Sequence, residues 1–354
     1  MTSGPDRVYH LALREAHASA GATFGVVEGW SLPMHYGDPA AEYLALRERA
    51  VVADRSHFSR FVISGTDAAH VLEATFSGHP GEVEEGRAMR AVALDEQGRI
   101  VDLVLVARLG GIAYLVSGAA SRRAGTLARL QAAVRPGFEI RVDDRTEATC
   151  ALAIVGPAAA EAVATHLSES LPPRLPAMHA ATFEFHGFRA SAVRASDTGE
   201  DGFELMLAPA VARHLIETFG GSATLAGQLA LDTARVEACI PAFAPDLEPG
   251  LTPAEADLDT LLGIDGGTGD RILAAVMIDG DEPLPAGTRV LLREPPTAVV
   301  GEIRSCVRSP ALDATIGLAV LNVQHAFPGT PLQAAGGESV TVTGKPFYRR
   351  RGIP

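Results

Sequence analysis

The sequence predicts an α+β protein in which two similar α+β halves precede a C-terminal antiparallel β-barrel. Two observations support this prediction. A strand–helix–strands–helix pattern occurs twice, and short strands then follow one another almost without helical periodicity. At 354 residues the chain is long for one compact core, so two or three domains are expected.

Each copy of the repeat begins with a strand, a Gly turn and a helix. The first copy is "RFVISGTDAAHVLEATF" (residues 60–76) and the second is "CALAIVGPAAAEAVATHL" (residues 150–167). β-rich runs and a second helix follow both copies, namely "AASRRAGTLARLQAAV" in the first half and "PAVARHLIETFG" in the second. Each half therefore resembles a ferredoxin-like unit. We place the two halves at about 1–145 and 146–270.

The region 271–354 contains five β-rich runs separated by Gly and Pro turns. This pattern is typical of a small antiparallel barrel or sandwich. The preceding linker, residues 246–270, is rich in Gly, Pro and Asp. Its aspartates lack the regular spacing of a calcium loop, so we expect a solvated connector.

The composition excludes several classes of protein. A hydrophobic content of 47% and a charged content of 21% are ordinary for a globular chain. The net charge of −13 argues against a nucleic-acid binder and against a protein drawn to anionic membranes. Cys150, Cys239 and Cys306 form no Cys/His cluster, which argues against a metal site and favours a reducing compartment. With no signal-peptide pattern and no apolar run of ~20 residues, we expect a cytoplasmic protein.

The stretch "TGEDGFELML", residues 198–207, joins a glycine turn to a strand. Glu200 and Asp201 lie in the turn, where we expect them to face solvent. Glu204 alternates with apolar residues and shares its strand face with Met206. Glu204 therefore has two interpretations: a ligand-recognition residue, or a strand carboxylate that is paired with an arginine or exposed at a sheet edge.

Five motifs, in order, resemble the glycine-cleavage T-protein (aminomethyltransferase) superfamily, which also includes folate-dependent demethylases and iron–sulfur assembly factors. The motifs are "GWSLPMHYG" (29–37), "ADRSHF" (53–58), "TGEDGFELML" (198–207), "LDTARVEA" (231–238) and, in the last region, "GEIRSCVRSPALDATIGLAV" with "KPFYR". The resemblance covers nearly the whole chain. It implies a ring of three domains, two α+β and one β, with tetrahydrofolate in the central hole.

The resemblance also implies roles for individual residues. Glu204 would accept hydrogen bonds from the amino group and ring N–H of the pterin, a task that suits a carboxylate. The aspartate that the family places beside the reactive nitrogens of folate is matched by Leu103, and Asp102 is the neighbouring acid that remains. Leucine neither moves a proton nor stabilises a cation, so we expect no lipoyl carrier protein as partner. Asp102 would be the surviving acid if its register reaches the hole, or an edge carboxylate in a salt bridge.

Other departures from the family pattern surround the same hole. Arg90 matches a tyrosine, Asp197 an aromatic residue and Leu231 an arginine. Arg90 would favour a substrate carboxylate or the glutamate tail of folate, or would be a solvated strand arginine. Asp232 matches an aspartate near the family site, although its spacing to Arg235 also predicts an intrahelical ion pair. The candidate catalytic residues are thus Asp102 and Asp232, and the candidate folate-binding residues are Glu204, Arg90, Leu103, Asp197 and Leu231.

Three functional hypotheses follow, in this order. The first is a tetrahydrofolate-dependent methyl or methylene transferase, or a demethylase, acting on a small molecule. The second is a folate-binding regulator or assembly factor without transfer activity, although the reactive-cysteine signature of the assembly factors is missing and Cys239 lies at a different position. The third is an enzyme of specialised metabolism that uses the scaffold without folate. His57 has no nucleophile–base arrangement around it, so we expect a structural hydrogen bond there. We expect no metal.

Overall fold

The computed structural model describes residues 8–167, 171, 175–219, 224–248, 250–267, 269–294 and 297–349. The chain divides into two compact units. The first contains residues 1–92, 102–196 and 200–231, and the second contains residues 93–101, 197–199 and 232–354. Within the described ranges, no helix combines the length and the apolar character needed to span a membrane.

The first unit opens with a small sheet and then shows the same series of elements twice. The opening elements are β1 (Tyr9–His10), α1 (Arg14–Ser19), β2 (Thr23–Val27), β3 (Trp30–His35), α2 (Pro39–Glu48) and β4 (Val51–Asp54). The first half contains β5 (Ser59–Ser64), α3 (Ala68–Thr75), β6 (Ala88–Leu94), β7 (Ile100–Gly110), β8 (Ala113–Gly118), α4 (Arg123–Ala132) and β9 (Arg141–Asp144). The second half contains β10 (Cys150–Val155), α5 (Ala159–Leu167), β11 (Ala180–Phe185), β12 (Phe188–Val193), β13 (Gly202–Leu207), α6 (Pro209–Phe219) and β14 (Thr224–Leu225).

The two halves share one strand order, which confirms the predicted repeat. The five-stranded sheet runs β6-β7-β8-β5-β9, and the six-stranded sheet runs β11-β12-β13-β10-β4-β14. Each half has three strands between its two helices, one more than a ferredoxin-like unit has. The sheets differ only by β4, which precedes the first half in sequence but pairs antiparallel with β10 and parallel with β14. The start of the chain therefore completes the sheet of the second half.

Two apolar clusters pack the six-stranded sheet. On one face, Leu152 and Leu205 of the sheet meet Val163 of α5 and Leu215 of α6, all of them buried. The opposite face packs against the five-stranded sheet in a second cluster. That cluster contains Leu105, Ala107 and Leu115 from the five-stranded sheet and Ala180 and Val193 from the six-stranded sheet. We call these two apposed sheet faces the inner faces.

The turn before β13 is not exposed to solvent, contrary to our expectation. Glu200 is 7% exposed, and its Oε1 accepts a 2.9 Å hydrogen bond from Arg47 of α2. Asp201 is half-buried and accepts two bonds from Arg194, at 2.9 and 2.6 Å. The prediction that the turn carboxylates face solvent is therefore wrong, because arginines from elsewhere in the chain pair with both.

The second unit contains the β-barrel. Its elements are the end of α7 (Gln228–Glu237), α8 (Asp259–Leu262), β15 (Arg271–Ile278), β16 (Arg289–Leu292), β17 (Val299–Ser309), β18 (Ala314–Asn322), β19 (Leu332–Ala334) and β20 (Ser339–Thr343). The strands close in the order β15-β18-β17-β16-β19-β20, and every neighbouring pair is antiparallel. Val276, Ile303 and Leu321 fill the barrel core. The predicted antiparallel barrel is confirmed, whereas the boundaries at 145 and 270 and the ring arrangement stay predictions.

The connector before the barrel is solvated only in part. Asp257 and Asp265 are exposed, as expected. Other side chains of the segment are buried, namely Asp246, Leu251, Glu255, Leu258 and Leu262, so the expectation of a solvated connector is only partly correct. Among the residues that the structure describes, no group of His, Cys, Asp or Glu could hold a metal ion.

Candidate functional site

The inner faces of the first unit bring two predicted site residues to apposed sheets. Side chains alternate along a strand, so Leu103 shares its face of β7 with Leu105. Glu204 likewise shares its face of β13 with Met206. Leu105 belongs to the cluster between the sheets, and Met206 packs against that cluster. Leu103 and Glu204 therefore both lie on the inner faces, as the candidate folate site requires.

Short apolar side chains surround Glu204 on the sheet. Ala153 of β10 and Val193 of β12 are its direct cross-strand neighbours, and Ala53 of β4 continues the row beyond Ala153. Glu204 itself is half-buried. Alanine adds little bulk above the sheet, so flat groups can approach the carboxylate along this row. A carboxylate beside small apolar side chains suits a planar ligand with N–H donors.

Arg90 lies on the inner face as well. It follows Ala88 of the cluster by two residues in β6 and is half-buried. Arg90 and Leu103 thus lie on the inner face of the five-stranded sheet, and Glu204 lies on the inner face of the six-stranded sheet. Their role in binding folate stays a prediction.

Asp102 lies on the opposite face of β7. It is 2% exposed, and its carboxylate accepts hydrogen bonds from the Thr126 hydroxyl of α4 and from the Leu103 N–H, the latter at 2.9 Å. Burial raises the pKa of Asp102 to about 6, although these bonds and two nearby arginines favour the charged form. Asp102 therefore forms hydrogen bonds to Thr126 and Leu103 and not the salt bridge at a sheet edge that we expected. Because the carboxylate faces α4 and not the inner face, the geometry does not favour the predicted catalytic role.

The variant Asp102→Asn is expected to change how stability depends on pH. The pKa in the folded protein, about 6, lies above the ordinary 3.8. The unfolded chain therefore releases its proton first, and stability falls as pH rises from about 4 to 6. The wild type should lose about 3 kcal/mol of unfolding free energy over this pH range, and the asparagine variant should not. Urea unfolding between pH 4 and pH 7.5 tests this, with Asp265→Asn at an exposed position as control. An unchanged pH slope in Asp102→Asn would contradict the assignment.

Asp232 belongs to an ion-pair network in the second unit. Its Oδ1 lies 2.9 Å from Arg235 Nε, so the predicted intrahelical pair is confirmed. Arg235 also donates to Asp246 at 2.7 Å and to the Ser305 hydroxyl at 2.8 Å. Burial opposes the charge on Arg235, but the carboxylates of Asp246 and Asp232 outweigh it and raise the pKa of Arg235. The catalytic role of Asp232 stays a prediction.

The remaining two candidates occupy different settings. Leu231 is 3% exposed within α7 of the first unit. Asp197 is half-buried and belongs to the second unit. A role for either in binding folate stays a prediction.

The surroundings of His57 differ from the structural hydrogen bond that we expected. It is 3% exposed, and its Nδ1 has no hydrogen-bond partner among the described residues. Burial and the neighbouring cations Arg55 and Arg60 hold the pKa of His57 well below its usual value. The expected structural hydrogen bond is therefore absent at Nδ1, and His57 is a neutral imidazole beside two arginines.

A buried polar chain near the N-terminus was not predicted. His17 Nε2 lies 2.8 Å from Asp54 Oδ2, and the Tyr36 hydroxyl lies 2.8 Å from His17 Nδ1. A neutral ring satisfies both contacts if Nε2–H donates to Asp54 and Nδ1 accepts from Tyr36. Burial and the carboxylates of Asp54 and Glu42 raise the pKa of Tyr36 well above its usual value, so the phenol remains a donor. These hydrogen bonds connect three parts of the first unit, namely α1, the segment that follows β3, and strand β4.

Known proteins share this architecture. The family model of the GCVT N-terminal domain matches residues 13–266, and that of the glycine cleavage T-protein C-terminal barrel domain matches residues 271–349. Similar curated proteins include the aminomethyltransferase of Saccharopolyspora erythraea, 32% identical over 360 residues, and that of Streptomyces coelicolor, 30% identical over 368 residues. Each alignment covers 96% of this chain and 97% of the relative.

A solved structure agrees with the fold. The crystal structure of glycine cleavage system aminomethyltransferase T from Bartonella henselae is 24% identical and superposes with a TM-score of 0.87, covering 97% of this chain and 99% of that one. The two family models together match nearly the whole sequence. The chain therefore belongs to the glycine cleavage T-protein (aminomethyltransferase) family.

Proposed function

We propose that this protein is a tetrahydrofolate-dependent one-carbon transferase acting on a small molecule. The observation that supports this most is the half-buried carboxylate of Glu204 on the inner face, at the position where the family resemblance implies pterin recognition. Relatives named aminomethyltransferase align over nearly the full chain and support the same class of reaction.

The surroundings of Glu204 fit a pterin. A pterin presents an amino group and a ring N–H on one edge, and a carboxylate accepts from both. The alanines beside Glu204 and the apolar Leu103 and Met206 suit its flat faces. When bound, tetrahydrofolate supplies the nucleophilic nitrogen that takes up the carbon group. The role of Glu204 is to bind and orient it.

Leu103 favours methyl transfer over aminomethyl transfer. Release of ammonia from an aminomethyl group develops a cation that a neighbouring carboxylate would stabilise, and leucine offers none. Methyl transfer from a sulfonium or quaternary ammonium group needs less help. The C–S or C–N bond breaks with its electron pair left on a neutral sulfide or amine, a C–N bond forms to the folate nitrogen, and that nitrogen loses one proton to water.

Arg90 narrows the proposed donor further. Arg90, at a position where the family resemblance implies recognition of an anionic group, favours a donor that carries a carboxylate. A zwitterion with both an onium group and a carboxylate meets this preference and also provides the methyl group. We therefore propose small onium carboxylates as the methyl donors.

Incubation of the protein with tetrahydrofolate and ¹³C-methyl-labelled glycine betaine or dimethylsulfonioacetate tests this proposal. Carbon NMR should show labelled methyl on folate with the wild type, at a rate at least about tenfold lower in Glu204→Gln, a loss of ~1.4 kcal/mol. Glu184→Gln, an exposed strand glutamate of the same sheet, is the control and should match the wild type.

Two other results would change the proposal. Turnover of an S-aminomethyl dihydrolipoamide but of no onium donor would contradict the assignment of the donor and retain one-carbon transfer. Folate binding without turnover of either donor class would contradict transfer and support the folate-binding regulator.

A further inference from the structure

We propose that Asp102 is a positioning residue that, together with Thr126 of α4, fixes the backbone of Leu103 and thereby the place of the Leu103 side chain on the inner face. Asp102 acts through Leu103 and does not itself lie on the inner face. That Leu103 contacts a ligand rests on the proposed function. The coupling between Asp102 and Leu103 belongs to the ligand-free protein and can be measured there.

The two residues are adjacent in β7 and lie on opposite faces of it. Leu103 shares the inner face with Leu105, which belongs to the cluster between the sheets. Asp102 shares the other face with Val104, and both are buried. A movement of the Asp102 carboxylate therefore reaches the inner face through a single peptide unit.

Each carboxylate oxygen of Asp102 has a different partner. Oδ1 accepts a 2.9 Å hydrogen bond from the Leu103 N–H, and Oδ2 accepts a hydrogen bond from the Thr126 hydroxyl. Asp102 and Thr126 are each 2% exposed, so water has little access to either bond. The carboxylate thus connects the backbone of β7 at Leu103 to α4.

Strand β8 leaves space for this carboxylate. Gly118 lies directly opposite Val104. A Cβ atom at Gly118 would lie 3.5 Å from Asp102 Oδ1 and 3.0 Å from Val104 Cγ1. A side chain at this position would crowd both residues, so the glycine provides room for the carboxylate to stay beside the Leu103 N–H.

The charged groups that act on Asp102 come from the helix side. Arg122, directly before α4, and Arg129 within α4 favour the ionised carboxylate. The neighbouring strands add no charge on this face, where β8 has Gly118 and β6 has Ala91. Burial outweighs the arginines and raises the pKa of Asp102 to about 6.

Titration of Asp102 therefore provides a way to measure the coupling. The ionised carboxylate accepts from both partners, and a hydrogen bond to a charged acceptor is stronger than one to a neutral acceptor. The protonated carboxyl group has a proton of its own to donate, so it holds the Leu103 N–H less strongly. The Leu103 amide should respond to pH around the pKa of Asp102, although leucine itself does not titrate.

Thr126 separates positioning from a general loss of packing. Thr126→Val keeps the shape of the side chain but cannot donate to Asp102, whereas Thr126→Ser keeps the donor. The Thr126 bond favours the ionised form, so the midpoint of Asp102 should rise in Thr126→Val and stay unchanged in Thr126→Ser. Leu130→Ala removes a fully buried leucine of the same helix and is the control for lost packing.

The test follows the Leu103 amide by NMR in ligand-free protein labelled with ¹⁵N-leucine, where Leu103→Ile assigns the signal. The signal should titrate with a midpoint of about 6 in the wild type and in Leu130→Ala, and should not titrate in this range in Asp102→Asn. Thr126→Val should raise the midpoint by at least about half a pH unit. A Leu103 amide that ignores pH in the wild type, or that titrates equally in Asp102→Asn, would overturn the proposal.

The Thr126 variants decide the question if Asp102→Asn does not fold. Both keep Asp102 and differ from each other only in the hydroxyl donor and one methyl group. Equal midpoints of the Leu103 amide in Thr126→Val and Thr126→Ser would overturn the proposal.

A ligand experiment connects this coupling to the inner face. The wild type should bind 5-formyltetrahydrofolate about threefold more tightly than Asp102→Asn at pH 7.5, and equally tightly at pH 5, where Asp102 is protonated. An affinity ratio that stays constant between these pH values would indicate a purely structural effect and overturn the ligand part of the proposal. Absence of any binding by the wild type would contradict the proposed function, while the NMR titration would still decide the coupling.

Discussion

Replacement of Arg235 with methionine is expected to lower the free energy of unfolding by about 3–5 kcal/mol. Arg235 bonds Asp232, Asp246 and Ser305, and the Asp246 side chain is fully buried. Methionine fills a similar volume but leaves the Asp246 carboxylate buried without its cation. Removal of one partner of a buried ion pair costs more than the pair itself contributes.

Urea unfolding of wild type and Arg235→Met measures this loss, with Arg99→Met as the matched control. Arg99 pairs with Asp95 at 2.8 Å, but its side chain is 48% exposed, so its loss should cost no more than about 1 kcal/mol. Hydrogen exchange of the barrel amides adds a local readout, because Ser305 lies on β17. Similar losses in the two variants would contradict the burial argument.

The second large effect is expected for His17→Phe, with a loss of about 3 kcal/mol in unfolding free energy. Phenylalanine fits the space of the imidazole but cannot donate to Asp54 or accept from Tyr36. Both side chains of the His17–Asp54 pair are at most 1% exposed, so water cannot replace the lost bonds.

His70→Phe is the matched control for this variant. His70 lies 3.5 Å from Asp67, but its side chain is 75% exposed. Its replacement should change the stability by less than about 0.5 kcal/mol. Thermal unfolding of the two variants against the wild type tests the difference, and a wild-type melting temperature for His17→Phe would show that the polar chain does not stabilise the fold.

The repeat and the barrel could be predicted because they depend on local patterns. Alternation of apolar residues, glycine turns and helical periodicity identified the strands and helices of both halves. The place of β4 could not be predicted, because it pairs across about 100 residues with β10 and not with its sequence neighbours. No local pattern encodes such a partner.

The candidate site could be predicted only in part. Strand alternation placed Glu204 on the Met206 face, and the structure shows that this is an inner face. The same alternation separates Asp102 from Leu103, but burial and the bond to Thr126 of α4 become visible only in three dimensions. The burial of Arg60 could not be predicted, because a lone arginine in a strand gives no sign of it and arginines are mostly exposed.

Calorimetric titration of the wild type and Glu204→Gln with 5-formyltetrahydrofolate tests the central claim most directly, namely that Glu204 recognises a folate on the inner face. We expect binding by the wild type, an affinity lower by at least about tenfold in Glu204→Gln, ~1.4 kcal/mol, and wild-type affinity in Glu184→Gln. Absence of heat with the wild type at near-millimolar folate, or equal affinities in wild type and Glu204→Gln, would contradict the claim.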